Sequence, residues 1–254
     1  MKYSFQLIVV LAFLAIGMNA SAAHSFGDES LNYNVSYKWG LIHKTAGTAT
    51  LTLHNRGNVY DIRLTAKSKP WADRIYRVRD TLIAKIAKNG FKPQSYKRIA
   101  HEDGKFALDE LTYSYNGAST TGTVKRTREK KGKRTTSSVT HSTTGAAYDL
   151  LTVFYYLRTI DFSSIPKGKV VVTTLFSGKA KERVTIKPVG LEKITMSDKR
   201  KVEAYHIRFN FTTDGAKKSS DDIDAWISCD GRGIPLMVVG ALPIGQIRCV
   251  YTGK

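Results

Sequence analysis

Residues 31–39, LNYNVSYKW, decide the fold class of this chain because apolar and polar side chains alternate along them without a break. The apolar side chains fall on one face of an extended strand: Leu31, Tyr33, Val35, Tyr37 and Trp39. The intervening residues are polar, from Asn32 to Lys38. A period of two is typical of a half-buried antiparallel strand, so we predict one here.

The same alternation recurs outward from this strand along most of the chain. It covers residues 49–53, 60–66, 111–115, 184–186 and 205–211, and Asn-Gly or Asp-Gly turn signals separate the runs. The tail predicts three more strands, Ile223–Cys229, Ile234–Val239 and Ile247–Tyr251. We therefore expect a single β-rich domain over residues 23–254. Its class is all-β, a mainly antiparallel curved sheet forming an open barrel or β-roll.

One segment breaks the alternation. Residues 146–158, AAYDLLTVFYYLR, place Leu150, Leu151, Phe154 and Leu157 at spacings of three and four, which predicts a helix of about three turns. Its cap is expected at Thr143 or Thr144. A helix this apolar must be buried on more than one side, so we expect it inside the concave face of the sheet. Whether it plugs or lids a cavity there stays open.

The first 22 residues read as a secretory signal peptide. Lys2 gives a positive start, Phe5 to Ile16 is apolar apart from Gln6, and Ala20-Ser21-Ala22 supplies small residues before the cleavage site. The apolar run is about a dozen residues, which is short of the roughly 20 needed to span a bilayer. We expect export, most simply to the periplasm of a Gram-negative bacterium, and no transmembrane segment in the mature chain.

The mature chain is strongly basic. Forty Lys and Arg oppose 21 Asp and Glu, and removal of Lys2 leaves a net charge of 39 − 21 = +18. Such a charge favours anionic surfaces. Outside the cytosol these are lipid or lipopolysaccharide head groups and acidic glycans, so no nucleic acid is expected as a partner. The alternative is that the positive charge is spread over every face of the protein and serves only to keep it soluble.

The two cysteines leave a disulfide open. Cys229 and Cys249 lie in the first and third strands of the predicted tail meander, which places them roughly 9–10 Å apart. A disulfide needs Cα atoms within about 7 Å. Export permits the bond, and both residues share the apolar parity of their strands. A bridge between them and a pair of buried thiols therefore remain equal alternatives.

No motif for catalysis, metal or cofactor binding is present in the sequence. The six histidines are scattered, and neither a CxxC pair nor a GxSxG elbow occurs. The carboxylates Asp221, Asp222 and Asp224 lack the glycine and distal glutamate of a calcium loop. We expect a non-enzyme without a cofactor.

Two basic segments are candidates for contact with an anionic partner. Residues 125–134, KRTREKKGKR, predict a long exposed hairpin whose cations are Lys125, Arg126, Arg128, Lys130, Lys131, Lys133 and Arg134. Such an arm gains roughly 1 kcal/mol per basic residue near an anionic membrane. The alternative is a hairpin tip that its charges keep soluble and protect from edge pairing.

The second segment, residues 71–80, mixes guanidiniums with aromatic rings. Together with Trp39 it supplies the candidate ligand contacts, which are Trp71, Arg74, Tyr76 and Arg79. Aromatic rings beside guanidiniums suit carbohydrate or phosphate. In the plainer alternative, Arg79 pairs with Asp80 or another carboxylate at the start of a strand.

An ordered set of segments resembles a known family. The segments are Tyr37–Ile42 with Ala46-Gly47, Val78–Leu82, Tyr148–Leu151 running to Tyr156–Arg158, and Trp226–Ser228 followed by Ile234-Pro235. They resemble an exported bacterial family of unknown function, DUF3108, that is best represented in Bacteroidetes. The resemblance implies a periplasmic location and a mostly β, barrel-like or rolled sheet. Cys229 stands where an acidic residue often follows Trp-x-Ser in that family, and no activity is implied.

Two classes of function follow from these features. The preferred one is a non-catalytic envelope protein that binds an amphiphilic or anionic component such as lipid, lipopolysaccharide or glycan, because a curved sheet around an apolar helix offers a lipophilic cavity. The alternative is a scaffold or assembly factor that docks on another envelope protein. A hydrolase with an unrecognised site comes third.

Overall fold

The computed structural model describes residues 25–217, 219–242 and 245–253. The predicted signal segment, residues 1–22, lies outside this range. The described part contains two helices, α1 (Pro70–Asp73) and α2 (Leu150–Leu157), and 3-10 turns at Asn89–Phe91 and Phe162–Ser164. The strands are β1 (Glu29–Trp39), β2 (Ile42–Arg56), β3 (Val59–Ser68), β4 (Val78–Ala87), β5 (Lys92–Glu102), β6 (Lys105–Asn116), β7 (Ser119–Lys130), β8 (Lys133–Thr144), β9 (Ala147–Tyr148), β10 (Val171–Phe176), β11 (Lys181–Thr195), β12 (Lys201–Thr213), β13 (Ile223–Ser228), β14 (Pro235–Ala241) and β15 (Gln246–Tyr251).

These strands form one nearly closed, barrel-like sheet in the order β8-β7-β6-β5-β4-β3-β2-β1-β15-β14-β13-β12-β11-β10-β9. Neighbouring strands pair antiparallel, apart from the parallel pair β9 and β10. The strands β1 and β15 pair in the middle of the order, with Tyr33 opposite Tyr251. The predicted all-β class with a curved antiparallel sheet and an internal helix is therefore confirmed.

The alternating apolar residues lie on the inner face of the sheet, where they line up across the strands. Leu51 of β2 faces Leu31 of β1 on one side and Leu64 of β3 on the other, and Leu64 faces Leu82 of β4. All four are buried. Such cross-strand pairs fix the register, because a slip by one residue would turn every apolar side chain toward water.

The internal helix is shorter than the sequence predicts. α2 covers eight residues, Leu150–Leu157, and residues 146–149 do not join it because Ala147 and Tyr148 pair with β10. Its N-cap is Asp149, whose carboxylate accepts hydrogen bonds from the amides of Leu151 and Thr152. The predicted caps, Thr143 and Thr144, end strand β8 instead. Every residue of α2 except Tyr156 is buried, so the helix plugs the concave face.

Strand connectivity gathers alternate turns at one end of the sheet. Because β1 to β8 pair in sequence and antiparallel, the β1–β2, β3–β4, β5–β6 and β7–β8 connections share that end. The β3–β4 connection contains α1, so we call this the α1 end. In the part of the chain that the structure describes, no helix has the length and apolar character required to cross a bilayer.

Candidate functional site

Helix α1 is held against strand β2 at the α1 end. Trp71 donates its indole N–H to the carbonyl oxygen of Thr45 over 3.0 Å, and the amide of Lys69 donates to the carbonyl of Ala46 over 2.7 Å. The Lys44 ammonium lies 4.6 Å from the centre of the Trp71 ring, within the range of a cation–π interaction. These contacts fix the β3–β4 connection beside the β1–β2 hairpin.

Two large apolar side chains are mostly exposed to water at this end. Leu41, in the β1–β2 turn, has a relative exposure of 106%, and Ile75, just after α1, has 73%. Six exposed cations lie on the same two connections and the adjoining strand ends, and none of them is in an ion pair among the described residues. We call this set the basic rim: Lys38, Leu41, Lys44, Lys67, Lys69, Trp71, Arg74, Ile75 and Arg77. Exposed apolar groups together with cations that lack an ion pair favour binding to an anionic, partly apolar surface.

Arg79 has a structural role. Its guanidinium donates to both carboxylate oxygens of Asp73, at 3.0 and 2.7 Å, and also to the hydroxyl of Ser68 at 3.0 Å. The hydrogen bonds from Arg79 and Ser68 lower the pKa of the Asp73 carboxyl to about 2. This arrangement matches the plainer alternative for Arg79, with Asp73 rather than Asp80 as its partner. It joins α1 to the start of β4.

The predicted ligand contacts therefore separate into two groups. Trp71 and Arg74 lie in the basic rim, and Arg74 is exposed. Tyr76 points to the sheet interior, where its hydroxyl donates to Glu102 over 2.9 Å. Arg79 is engaged with Asp73. The side chain of Trp39 lies outside what the structure describes.

A charged cluster that the sequence did not predict lies on the inner face of β4–β7, behind Tyr76. Arg98 of β5 reaches Glu102 at 2.9 Å and Asp80 at 3.5 Å. On the other side, Arg128 contacts both oxygens of Asp109 at 2.6 and 2.8 Å. The three carboxylate residues are at most 5% exposed. The arginines supply the opposite charge that buried carboxylates require.

Asp80 is the most perturbed carboxyl in this cluster. Burial and then the neighbouring Glu102 carboxyl raise the pKa of Asp80 to about 8, and the Arg98 guanidinium offsets only part of this rise. At neutral pH Asp80 is therefore largely protonated. The sequence carried a usable signal for this cluster, because Asp80 shares strand parity with the buried Val78, Leu82, Ala84 and Ile86.

The predicted basic arm is a hairpin, formed by β7 and β8 with its turn at Lys131-Gly132. Its tip is at the α1 end. Five of its predicted contacts are exposed, namely Lys125, Lys130, Lys131, Lys133 and Arg134. The expectation fails for the other two, Arg126 and Arg128, because both turn inward toward Asp109. They complete the buried cluster and are not placed on an outer surface.

The lipophilic hollow expected around the helix is filled by side chains. Phe154, Tyr155 and Leu157 of α2 are completely buried in the core. An apolar cleft lies nearby, between β2, β3 and α1, and is lined by Val35, Ala66, Ala72, Val78 and their neighbours. Its volume is about 30 Å³, which is close to the volume that one water molecule occupies in the liquid. That cleft is too small for a lipid chain.

Both cysteines are free thiols. Cys249 is buried in β15, whereas Cys229, just beyond β13, is exposed. The pairing of β14 with both β13 and β15 separates them. The expected alternatives were a disulfide and a pair of buried thiols. Neither describes the cysteines fully, because they form no disulfide and only Cys249 is buried. Burial raises the pKa of the Cys249 thiol to about 12, so it is not a nucleophile at neutral pH.

Metal coordination is not favoured by the geometry. Over the residues that the structure describes, no group of three or more His, Cys, Asp and Glu side chains is placed to hold an ion. His206 lies between Glu192 and Asp224, at 2.8 and 2.7 Å, but these are hydrogen-bond distances to its two ring nitrogens. Trp226 and Arg208 bind the same carboxylates. The group therefore acts as a closed hydrogen-bond network on the outer face.

Comparison with known proteins agrees with this architecture. Residues 32–251 match the family described as "Protein of unknown function (DUF3108)", which confirms the predicted resemblance, while a Bacteroidetes origin stays a prediction. A comparison with curated proteins finds no match. A similar solved structure is the crystal structure of a beta-barrel-like protein of domain of unknown function DUF1849 from Brucella abortus. The two share 11% identity over 95% of this chain and 98% of that one, with a TM-score of 0.55, so the likeness concerns the fold alone.

Proposed function

The chain belongs to the DUF3108 family of proteins of unknown function, and from this premise we propose that it is a non-catalytic protein of the bacterial envelope that binds anionic lipid head groups through its basic rim. The observation that carries the proposal is that Leu41 and Ile75, two exposed apolar side chains, lie on the same connections and strand ends as six exposed cations that form no ion pair among the described residues. The small apolar cleft does not favour a carrier with an internal lipid, so the proposal concerns a surface.

Electrostatics supplies the first part of the binding free energy. Six exposed cations belong to the rim: Lys38, Lys44, Lys67, Lys69, Arg74 and Arg77. A basic residue near an anionic membrane contributes about 1 kcal/mol, and the contribution falls off within a Debye length of the surface. The acidic residue nearest to them in sequence, Asp73, is neutralised by Arg79. The rim therefore keeps a positive field directed outward.

Apolar contact supplies the second part. Leu41 and Ile75 lose water contact when they enter the head-group region, which is worth about 25 cal/mol for each Å² of apolar surface buried. The ring of Trp71, half-buried against β2, suits the interface because an indole has an apolar body and a polar N–H. The tip of the β7–β8 hairpin faces the same way and adds Lys130, Lys131 and Lys133.

Sedimentation with vesicles tests the proposal. The mature chain is mixed with vesicles of phosphatidylcholine alone, or with phosphatidylglycerol added, at low and high salt. We expect binding only to the anionic vesicles and release at high salt. The double variant Lys69→Gln/Arg74→Gln is expected to bind about tenfold more weakly or worse, since it removes two of the rim cations. Ile75→Ser is expected to weaken binding to the anionic vesicles at low salt, because it removes part of the apolar contact.

A charge-matched control separates a specific rim from net charge. Lys193→Gln/Lys201→Gln removes two exposed cations from β11 and β12, outside the basic rim, and should leave binding nearly unchanged. Equal losses in the two double variants would show that only overall charge matters. Absence of binding to the anionic vesicles at low salt would reject the proposal.

A further inference from the structure

The two edges of the sheet meet along a seam that side chains bridge. His141 of β8 lies 3.2 Å from the carbonyl oxygen of Gly178 in the β10–β11 turn, and the Lys181 ammonium reaches the carbonyl of Ser142 at 3.5 Å. Beside these bridges the edges separate, because β8 ends at Thr144 and the short strand β9 pairs with β10. The separation leaves a cavity of about 440 Å³.

The cavity wall is rich in hydroxyl groups. Thr143 and Thr144 line it from the β8 side, and Thr173 and Thr174 line it from β10. Each hydroxyl can donate one hydrogen bond and accept others. The charged lining residues largely balance, since Lys181 forms an ion pair with Asp214 at 3.0 Å. The wall, which also exposes apolar surface, therefore favours a ligand that carries hydroxyl groups and some apolar surface but no large charge.

One buried carboxylate in this wall has an oxygen atom without a hydrogen-bond partner. Glu182 is 4% exposed, and its Oε2 atom makes no hydrogen bond to any described residue. Its other oxygen accepts a long bond of 3.4 Å from the Thr213 hydroxyl. Burial raises the pKa of Glu182, and the nearby Ser177 and Thr213 hydroxyls only partly offset this. A buried acceptor left unsatisfied costs about 1–3 kcal/mol, so a ligand that donates a hydrogen bond to this oxygen would be stabilised.

We propose that this seam cavity is a binding site for a neutral, polyhydroxylated ligand of one or two sugar rings, with Glu182 accepting a hydrogen bond from a ligand hydroxyl. The volume falls within the 300–1,000 Å³ typical of small-molecule sites. A ligand with hydroxyls in several directions can bond to Glu182 and to threonine hydroxyls from both edges of the seam. An anion is disfavoured by Glu182, and a cation is disfavoured by Arg183 at the wall.

This site is separate from the basic rim, and the two proposals fail independently. The seam lies between β8 and β10–β11, whereas the rim is built on β1–β4. A variant that loses sugar binding should therefore still bind anionic vesicles. Loss of vesicle binding alone would leave the seam proposal intact.

Ligand-observed NMR with defined probes tests the seam site. Saturation-transfer spectra are recorded on the mature chain with glucose, N-acetylglucosamine and maltose, and with ethanolamine as the cationic comparison. Inorganic phosphate, the anionic comparison, has no carbon-bound proton and is followed by the line width of its phosphorus NMR signal. We expect saturable binding of at least one sugar and none of phosphate or ethanolamine. Binding of phosphate or ethanolamine without any sugar would overturn the proposal, as would the absence of saturable sugar binding.

Two substitutions then assign the binding to the cavity. Glu182→Met keeps the volume but removes both acceptor oxygens, and Thr173→Val removes one hydroxyl at nearly constant shape. We expect at least a tenfold loss of sugar affinity for the first and a smaller loss for the second. Glu203→Gln, an exposed change on β12, is the control and should bind as the wild type does. Sugar binding that survives Glu182→Met unchanged would refute the assignment. Thermal melting of each variant shows that it is folded.

Discussion

Arg158, which follows the last residue of α2, forms an ion pair with Glu29, the first residue of β1, although 129 positions separate them in sequence. The guanidinium is almost completely buried and lies 4.8 Å from the centre of the Phe26 ring and 5.0 Å from that of Tyr155. It also donates to the carbonyl oxygen of Arg232. One side chain thus ties the internal helix to both halves of the sheet.

Replacement of this arginine should be strongly destabilising. Arg158→Met leaves Glu29 and the Arg232 carbonyl without their donor, and loss of one partner from a buried ion pair typically costs about 3–5 kcal/mol. Because Glu29 keeps some contact with water, we expect the lower end, about 3 kcal/mol. Urea unfolding followed by tryptophan fluorescence measures the loss. The exposed pair Arg200–Asp198 is the comparison, and Arg200→Gln should cost under about 1 kcal/mol. Equal costs would contradict the structural role.

Asp80 makes stability depend on pH. The folded chain keeps this proton up to about pH 8, whereas the unfolded chain releases it near the model-peptide value of 3.8. The folded state therefore binds more protons within this window, and the free energy of unfolding falls as pH rises through it.

Asp80→Asn should remove this dependence. We expect the variant to match the wild type near pH 4 and to exceed it by a few kcal/mol at pH 8, since one pKa unit corresponds to about 1.4 kcal/mol. Urea unfolding across the pH range is the measurement. Thr127→Val, a buried change without a titratable group, should shift stability equally at every pH. A pH-independent difference between Asp80→Asn and wild type would count against the raised pKa.

The cap of α2 should be sensitive to loss of its carboxylate. Asp149 is completely buried and accepts from the Leu151 amide at 2.9 Å, the Thr152 amide at 3.0 Å and the Thr152 hydroxyl at 2.6 Å. Asp149→Ala leaves these donors without an acceptor, and we expect a loss of about 2–4 kcal/mol in thermal or urea unfolding. Asp149→Asn retains one carbonyl oxygen and should lose less. Equal losses of stability for Asp149→Asn and Asp149→Ala would show that the negative charge, rather than the capping hydrogen bonds, stabilises the fold.

Gly122 marks a close approach between the β6–β7 wall and β10. A Cβ atom there would lie 2.5 Å from the Phe176 ring and 2.9 Å from a Leu111 methyl carbon. Gly122→Ala therefore overpacks the core, and we expect a loss of about 1–3 kcal/mol. Gly27 meets nothing within 4 Å, so Gly27→Ala is the matched control and should be close to neutral. Differential scanning calorimetry distinguishes the two.

The thiols should react in two stages. With Ellman's reagent, the native chain is expected to react at Cys229 alone, because Cys249 is buried and its thiol pKa is raised. Addition of denaturant should expose the second thiol. Two equivalents in the native state would contradict burial of Cys249, and none before or after unfolding would indicate a disulfide.

The sequence predicts the sheet well because its signal is local. Alternation at residues 31–39 and 60–66 specifies strands whose inner face is apolar, and the structure confirms both. The helix is predicted in place but too long, since the choice between helix and strand at Ala147 and Tyr148 depends on the distant strand β10. A periodic pattern contains no information about that pairing.

The candidate sites were harder to predict because they, too, depend on pairing between strands that are distant in sequence. Arg126 and Arg128 look like part of a solvated run, but the register of β7 with β6 turns them toward Asp109. The seam around Glu182 depends on residues from β8, β10 and β11 that become neighbours only after the sheet curves. By contrast, Trp71 and Arg74 could be found because they lie within one short segment.

The central pairing of β1 with β15 has a consequence for how the chain acquires its structure. The strands from β2 to β14 can pair with their sequence neighbours as the chain grows. The two halves of the sheet, β1–β8 and β9–β15, join only when β15 is available to pair with β1. Contacts this distant in sequence make assembly slow. Until that moment β1 offers an unpaired strand edge, so the growing chain carries a surface on which another strand could pair wrongly.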